Sequence, residues 1–324
     1  MSKINVRSPY YISVGINPPV ADLTSCKLEL FIYTGTRGVG ATNNSRPTTA
    51  TYTLNSFAVE NVSTFEISEL VQDFINVTFD NDYNAISTTC WWYYVKTNTY
   101  SDLNTPTSTT EYGLATKGYT YFEDGYNSSL TSSKLMTNQY LYIPKNVQYH
   151  IPVYIGPNGV TNVIYYTIDG LGNETEAGSQ SFTPYNQVPS TENSTDYIRY
   201  VGSSIQASKI EIISGNTSAS GYSSVTSTAK ETIFPVFVCN TKYENFKVSF
   251  VNKFGAIQDI YFNKKRTDAL NVKKDNFVTS TLTSTTTSAT YNTFTPSNIV
   301  QDVLTTKTLT LNTGYLRDEY NETI

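Results

Sequence analysis

The chain has 324 residues, 39% hydrophobic and 14% aromatic, enough apolar material for packed cores and too much for a disordered polymer. With 22 Lys and Arg against 27 Asp and Glu, its net charge of −5 leaves no basic footprint for direct nucleic-acid binding. One His, three Cys and 27 Tyr rule out a two-His metal site within one chain, suggest no disulfide framework, and tilt the composition toward sheet.

The opening residues, Met1 to Arg7, lack the apolar run of a signal peptide. No stretch is long and apolar enough to span a bilayer. The expectation is a chain made in a cytoplasm, with no membrane span.

Short apolar or alternating runs then recur between clusters of Gly, Pro, Asn and Asp. The first are Leu28 to Tyr33 and Thr51 to Leu54. Between them, Thr34-Gly35-Thr36-Arg37-Gly38-Val39-Gly40 is Gly-rich but ends in no Lys-Ser/Thr pair, so it reads as a hairpin loop. Ile67, Leu70, Val71, Phe74 and Ile75 fall on one face of a helix near 68–76, with Ser68 as its expected N-cap. That helix plugs the open end of a sandwich. Phe79 to Asn84 carries acidic and amide oxygens but no EF-hand Gly or closing Glu, and reads as a turn.

Trp91-Trp92-Tyr93-Tyr94 alternates faces if extended, so it is read as a central strand, with Trp92 on a sugar-stacking platform as the rival. Thr97 to Thr110 reads as a polar loop or linker. Gly118-Tyr119-Thr120-Tyr121-Phe122-Glu123-Asp124-Gly125-Tyr126 is more polar and punctuated by Gly. Tyr119, Tyr121 and Tyr126 are therefore the candidate exposed aromatic surface, for a ligand or a subunit contact.

Further strands are expected over Tyr140 to Ile143, Val163 to Ile168, Lys209 to Ile213 and Ile233 to Val238. His150 lies in a strand-like run before Pro152 and reads as a packed or surface histidine. Ser214 to Thr228 reads as an exposed loop.

Phe246 to Val251 and Ile257 to Phe262 flank Asn252-Lys253-Phe254-Gly255, a hairpin at 246–262 with one wet face. Gly255 supplies a positive φ if the turn needs one. Lys264-Lys265-Arg266 reads as a solvated strand end. The Thr/Ser-rich stretch 279–290 is a loop or, given the β preference of Thr, an edge strand or β-arm. Ser297 is expected to cap a helical turn carrying Ile299, Val300, Val303 and Leu304. Leu316, Tyr320 and Ile324 begin a further helical stripe.

The pattern implies a mainly β protein of tandem antiparallel β-sandwich domains with one or two short helices. Domains are expected at 1–100, 101–230 and 231–324. No catalytic cluster, cofactor loop or metal-ligand set stands out. The expected function is structural, with no enzyme activity, cofactor or metal.

The run Val248-Ser249-Phe250-Val251-Asn252-Lys253-Phe254-Gly255-Ala256 resembles a segment common in virion structural proteins of tailed double-stranded DNA bacteriophages. Ile4 to Tyr11 and Leu309 to Tyr315 are similar to the same group, while the middle of the chain is not. The resemblance carries over no active-site residue. It implies a multi-copy component of the virion, in the tail, baseplate or neck. Its partners would be copies of itself and other virion structural proteins. A receptor- or carbohydrate-binding fibre module, contacting host surface glycan, is the alternative.

Overall fold

The computed structural model describes residues 2–15, 23–33, 47–79, 90–101, 107–128, 132–155, 159–182, 197–217, 225–239, 242–284, 286–291 and 293–318. Its elements run, in order, β1 (Ser2–Asn5), β2 (Tyr11–Gly15), β3 (Leu23–Tyr33), β4 (Tyr52–Phe57), β5 (Val62–Glu66), α1 (Ser68–Gln72), β6 (Cys90–Ser101), β7 (Thr107–Thr116), β8 (Tyr140–Pro144), β9 (Tyr149–Ile155) and β10 (Val160–Ile168). There follow β11 (Glu174–Ser181), β12 (Tyr197–Ser203), β13 (Lys209–Thr217), β14 (Val225–Val238), β15 (Phe246–Val251), β16 (Ile257–Phe262), β17 (Thr267–Val278), β18 (Leu282–Ser284), β19 (Ala289–Tyr291) and β20 (Asn298–Thr310). The protein is mainly β, as the composition predicts. Among the described residues, no helix is long and apolar enough to cross a membrane.

The contacts divide the chain into two units. One holds Met1–Cys239, Lys247–Tyr261 and Leu316–Ile324; the other holds Asn240–Phe246 and Phe262–Tyr315. In the first unit, one five-stranded sheet has the order β1-β7-β6-β3-β4 and a second the order β11-β10-β13-β14-β8. The pairs β2–β5 and β9–β12 form smaller layers.

The first sheet is built on strict alternation. Cys26, Leu28, Leu30 and Ile32 of β3 point to one face and are buried, while Phe31 and Tyr33 are buried on the other. Ile12 and Val14 of β2 and Phe65 of β5 close over the first face as the second layer of a sandwich. The second sheet makes the same arrangement with β9 and β12, through Ile151, Val153, Val163, Ile210, Ile212 and Ile233. A third cluster, containing Phe31, Tyr33, Leu114, Tyr154 and Tyr200, is buried among β3, β7, β9 and β12. Each of the Leu, Ile, Val and Phe side chains among them contributes roughly 1.5–3 kcal/mol on full burial.

Among the described residues, strand pairing is antiparallel except at two sheet edges. β1 pairs with β7 and β8 pairs with β14 in parallel. The expected domain junction near 100 lies where β6 pairs with β7, and that near 230 lies within β14. The expected loop from Thr97 to Thr110 is largely strand: β6 runs to Ser101 and β7 starts at Thr107, with Lys96 opposite Thr110 and Thr99 opposite Thr107. Thr fits a pleated surface, and strand pairing there outweighs the polar composition.

α1 packs against the first sandwich but spans only Ser68–Gln72, short of the expected 68–76, with Ile67, Val71 and Ile75 fully buried in the same core. The N-cap is Ile67, not Ser68, and no side chain caps the helix. Ile67 is held by its own burial and by the bond from its N–H to the Tyr10 carbonyl, while the Ser68 hydroxyl turns back to Glu66 Oε1 at 2.8 Å.

β15 and β16 form the expected hairpin, and Gly255 has φ of +79°. Its second strand is not wet on one side: Gln258, Asp259, Ile260 and Tyr261 are all buried. Gln258 and Asp259 tolerate this because Asn252 Nδ2 and Ser249 Oγ donate to them.

The second unit is dominated by a long two-stranded ribbon, β17 with β20, continued at its far end by the small β18–β19 hairpin. The expected helical turn after Ser297 is strand. Its helix-like spacing comes from a bulge: Asp275 pairs with Asp302 and Asn276 with Val300, so Gln301 is skipped. The skip lets Ile299 and Leu304 share one face and Val300 and Val303 the other. The expected helical stripe from Leu316 reaches Tyr320 and Ile324, which lie outside the described residues, as do the Gly-rich run from Thr34 and the turn from Asp80.

Candidate interaction surfaces

The first surface is the aromatic segment after β7. Gly118 lets two backbones meet there, since a Cβ on it would lie 2.5 Å from the Lys253 carbonyl oxygen. A Cβ on Gly255 would lie 2.6 Å from Gly118 N. The β15–β16 turn is thus seated on this segment. The Tyr119 N–H donates to the Lys253 carbonyl at 2.8 Å, and the Arg7 N–H donates to that of Gly118 at 3.0 Å.

The far end is tied down as firmly. Asn127 Nδ2 donates to the Tyr11 carbonyl at 2.8 Å while Asn127 Oδ1 accepts the Tyr11 N–H at 2.6 Å. Between these anchors a single 3-10 turn, Phe122–Asp124, is closed by the Asp124 N–H to the Tyr121 carbonyl and by Asp124 Oδ2 accepting the Tyr121 N–H. Gly125 leaves the turn at φ +71°.

This frame brings together Tyr119, Tyr121 and Tyr126. Tyr119 and Tyr121 meet edge to face at 6.2 Å, as do Tyr126 and Tyr11 at 5.7 Å. The Arg7 guanidinium lies over Tyr119 and the Lys253 ammonium over Tyr121. Phe122 is 97% exposed and Tyr126 69% exposed. Fixed, wet aromatic rings flanked by both signs of charge can stack on sugar rings or pack against another protein. Phe122 lies in the polar, Gly-punctuated run that the sequence marks as an exposed aromatic surface, whereas Tyr11, Arg7 and Lys253 arrive from distant segments that the sequence does not join to it.

Trp92 lies on β6, the middle strand of the first sheet, paired with Tyr33 and Leu114. Its side chain lies outside the described residues.

The second surface is the β17–β20 ribbon, every residue of which is exposed. Residues directly opposite share a face. One face carries Leu270, Val272, Val278, Val300, Val303 and Leu309; the other carries Ala269, Phe277, Ile299 and Leu304. Leu270 is 63% and Leu304 62% exposed. An isolated two-stranded ribbon is marginal in water, so apolar rows on both faces need cover. At its base, Arg266 stacks on Phe246 and pairs with Glu244 at 3.3 Å and Asp268 at 3.5 Å.

His150 on β9 is half-buried, and burial pulls its pKa below the ordinary value despite nearby Asp259. Burial raises the pKa of Cys26. Among the described residues, no group of three or more His, Cys, Asp or Glu could hold a metal ion.

No family model and no curated protein matches the chain. Among solved structures it is similar to the native alpha-2-macroglobulin of E. coli, with 7% identity and a TM-score of 0.24 over 94% of this chain and 20% of that one. It is also similar to the periplasmic chaperone SfaE, with 9% identity and a TM-score of 0.17 over 71% of this chain and 92% of that one. The chain therefore spans a small part of the macroglobulin, and likenesses this loose carry no argument about function.

Proposed function

We propose that this chain is a structural component of a bacteriophage particle, in the tail, baseplate or neck, that assembles through β-rich protein–protein interfaces. The observation that carries the assembly part is the β17–β20 ribbon, whose apolar side chains are open on both faces. A chain that acts alone gains nothing from such a ribbon, whereas a chain repeated in a particle gains a ready interface. The phage setting rests on the resemblance of Ile4 to Tyr11, Val248 to Ala256 and Leu309 to Tyr315 to virion proteins. Its partners are then copies of itself and neighbouring virion proteins, and its location is the virion. Antibody labelling of intact particles tests this. Multiple copies at one fixed substructure support it, and absence from purified particles overturns it.

A second reading is a receptor- or carbohydrate-binding fibre module, favoured by the fixed aromatic surface around Tyr121 and Tyr126. Binding on an array of host surface glycans, abolished by Tyr121→Ala or Tyr126→Ala with the fold retained, supports it. Silence across the array counts against it.

A further inference from the structure

The chain's single imidazole lies at the seam between the β15–β16 hairpin and the β9–β12 pair. His150 is on β9, opposite Gly202 of β12, and its ring rests against that glycine: a Cβ on Gly202 would stand 3.2 Å from His150 Cδ2 and from Nε2. Two contacts of β16 bracket it. The Ile257 N–H donates at 3.0 Å to the hydroxyl of Tyr200, which pairs with Pro152. The Tyr261 hydroxyl donates to the Gln148 carbonyl at 3.3 Å. Asp259 lies midway between Ile257 and Tyr261, as His150 lies midway between Pro152 and Gln148. The hairpin thus brings its one buried carboxylate to the histidine, and the charge of Asp259 acts on the ring.

That carboxylate is already answered. Ser249 Oγ donates to Asp259 Oδ1 at 2.6 Å, and Lys247 Nζ lies 3.8 Å from Oδ2. A proton on His150 therefore brings a second cation to a seam with one buried anion, where burial makes the charged ring costly. On this seam the hairpin contributes the titratable groups Asp259, Lys247 and Tyr261, and β12 contributes Tyr200, with Gly202 opposite the ring.

The turn of the same hairpin reaches the aromatic surface. The Lys253 carbonyl accepts the Tyr119 N–H at 2.8 Å, and the Lys253 ammonium lies over Tyr121. Lifting the hairpin removes both contacts, while the bonds of Asn127 to Tyr11 remain.

We propose that the β15–β16 hairpin is an acid-released latch: protonation of His150 lifts it from the β9–β12 pair and frees the Tyr119 end of the aromatic surface. The docked hairpin holds the neutral ring and the lifted one accepts the proton. Docking is therefore strongest above the ordinary histidine pKa of about 6.5 and weakens as pH falls below it. The latch acts on the aromatic surface whatever that surface binds, and it does not depend on the assembly reading.

Amide-resolved hydrogen exchange of the full chain tests this, with protection factors compared at about pH 7.5 and about pH 5.5, either side of the ordinary histidine pKa. The amides of Ile257 and Tyr119 bond across the seam. The expected result is that they lose protection together at the lower pH, and open more readily than the amides of β3 and β10 in the sandwich cores. In His150→Gln the loss disappears. In Lys247→Met, which removes the competing cation, the loss is smaller, and this part-exposed position decides alone if His150→Gln does not fold. Equal protection at both pH values, a loss of the same size in Lys247→Met as in the unaltered chain, a loss that persists in folded His150→Gln, or a loss that occurs only together with the core strands overturns the latch.

Discussion

Asp275 lies directly across from Asp302 on the β17–β20 ribbon, with both carboxylates on one face. Like charges directly opposite destabilise a strand pair, and the Asp302 carboxylate also accepts the Val303 N–H at 2.8 Å, a bond that an Asn side-chain oxygen can keep. Asp302→Asn is therefore expected to stabilise the chain by roughly 0.2–1 kcal/mol at low salt. Urea unfolding at low and high salt checks this, the gain shrinking as salt screens the pair.

The β15–β16 turn is held by one buried amide. Asn252 Oδ1 accepts the N–H groups of Phe254 at 3.0 Å and Ala256 at 3.2 Å, while Nδ2 donates to the Leu135 carbonyl at 2.7 Å. Asn252→Ala leaves these groups buried without that partner. Destabilisation of about 1–3 kcal/mol is expected, measured by denaturant midpoint. Gly255→Ala is expected to be at least as damaging, since it combines a positive φ with a Cβ 2.6 Å from Gly118 N.

Two truncations of similar size separate core from interface. Ile67→Ala empties a fully buried site between α1 and the first sandwich and is expected to cost about 2–5 kcal/mol. Leu270→Ala removes a side chain that is 63% exposed, and is expected to stay within roughly 0.5 kcal/mol in unfolding. Its effect falls on assembly instead. Thermal unfolding of the two variants side by side distinguishes them.

His150 gives the fold a dependence on pH. Burial favours its neutral ring, so its folded pKa lies below the ordinary 6.5; Lys247 pushes the same way, and Asp259 opposes. A base with a depressed folded pKa binds protons more readily in the unfolded chain. Its contribution to stability is complete above the unfolded value and is lost as pH falls from there toward the folded one. Urea midpoints taken downward from neutral pH are expected to fall across that window. In His150→Gln the fall over the same window is expected to be shallower.

Local chemistry was legible in the sequence; long-range arrangement was not. The Asn252-to-Gly255 turn could be read because one glycine and one amide fix it locally. The aromatic cluster at Tyr119 to Tyr126 was legible as a cluster, but its supports, Arg7, Tyr11 and Lys253, come from segments more than a hundred residues away in the chain and could not be placed. The parallel pairing of β1 with β7 has the same origin. Ile299, Val300, Val303 and Leu304 misled because a bulge at Gln301 imitates helical spacing. The Thr/Ser-rich stretch 279–290 was readable as a β-arm, and β18 and β19 now lie within it and its flanks. Of the strands that carry it, β17 was not read from the sequence and the start of β20 was read as a helical turn.

The most direct test of the account is the solution mass of the full chain by sedimentation equilibrium, beside a variant in which Leu270, Val303 and Leu304 are each changed to Asp. The expected result is an integer multiple of the single-chain mass for the unaltered protein and the single-chain mass for the variant, with both folded by circular dichroism. A single-chain mass for the unaltered protein at every concentration, or the same multiple for both, would contradict assembly through the ribbon.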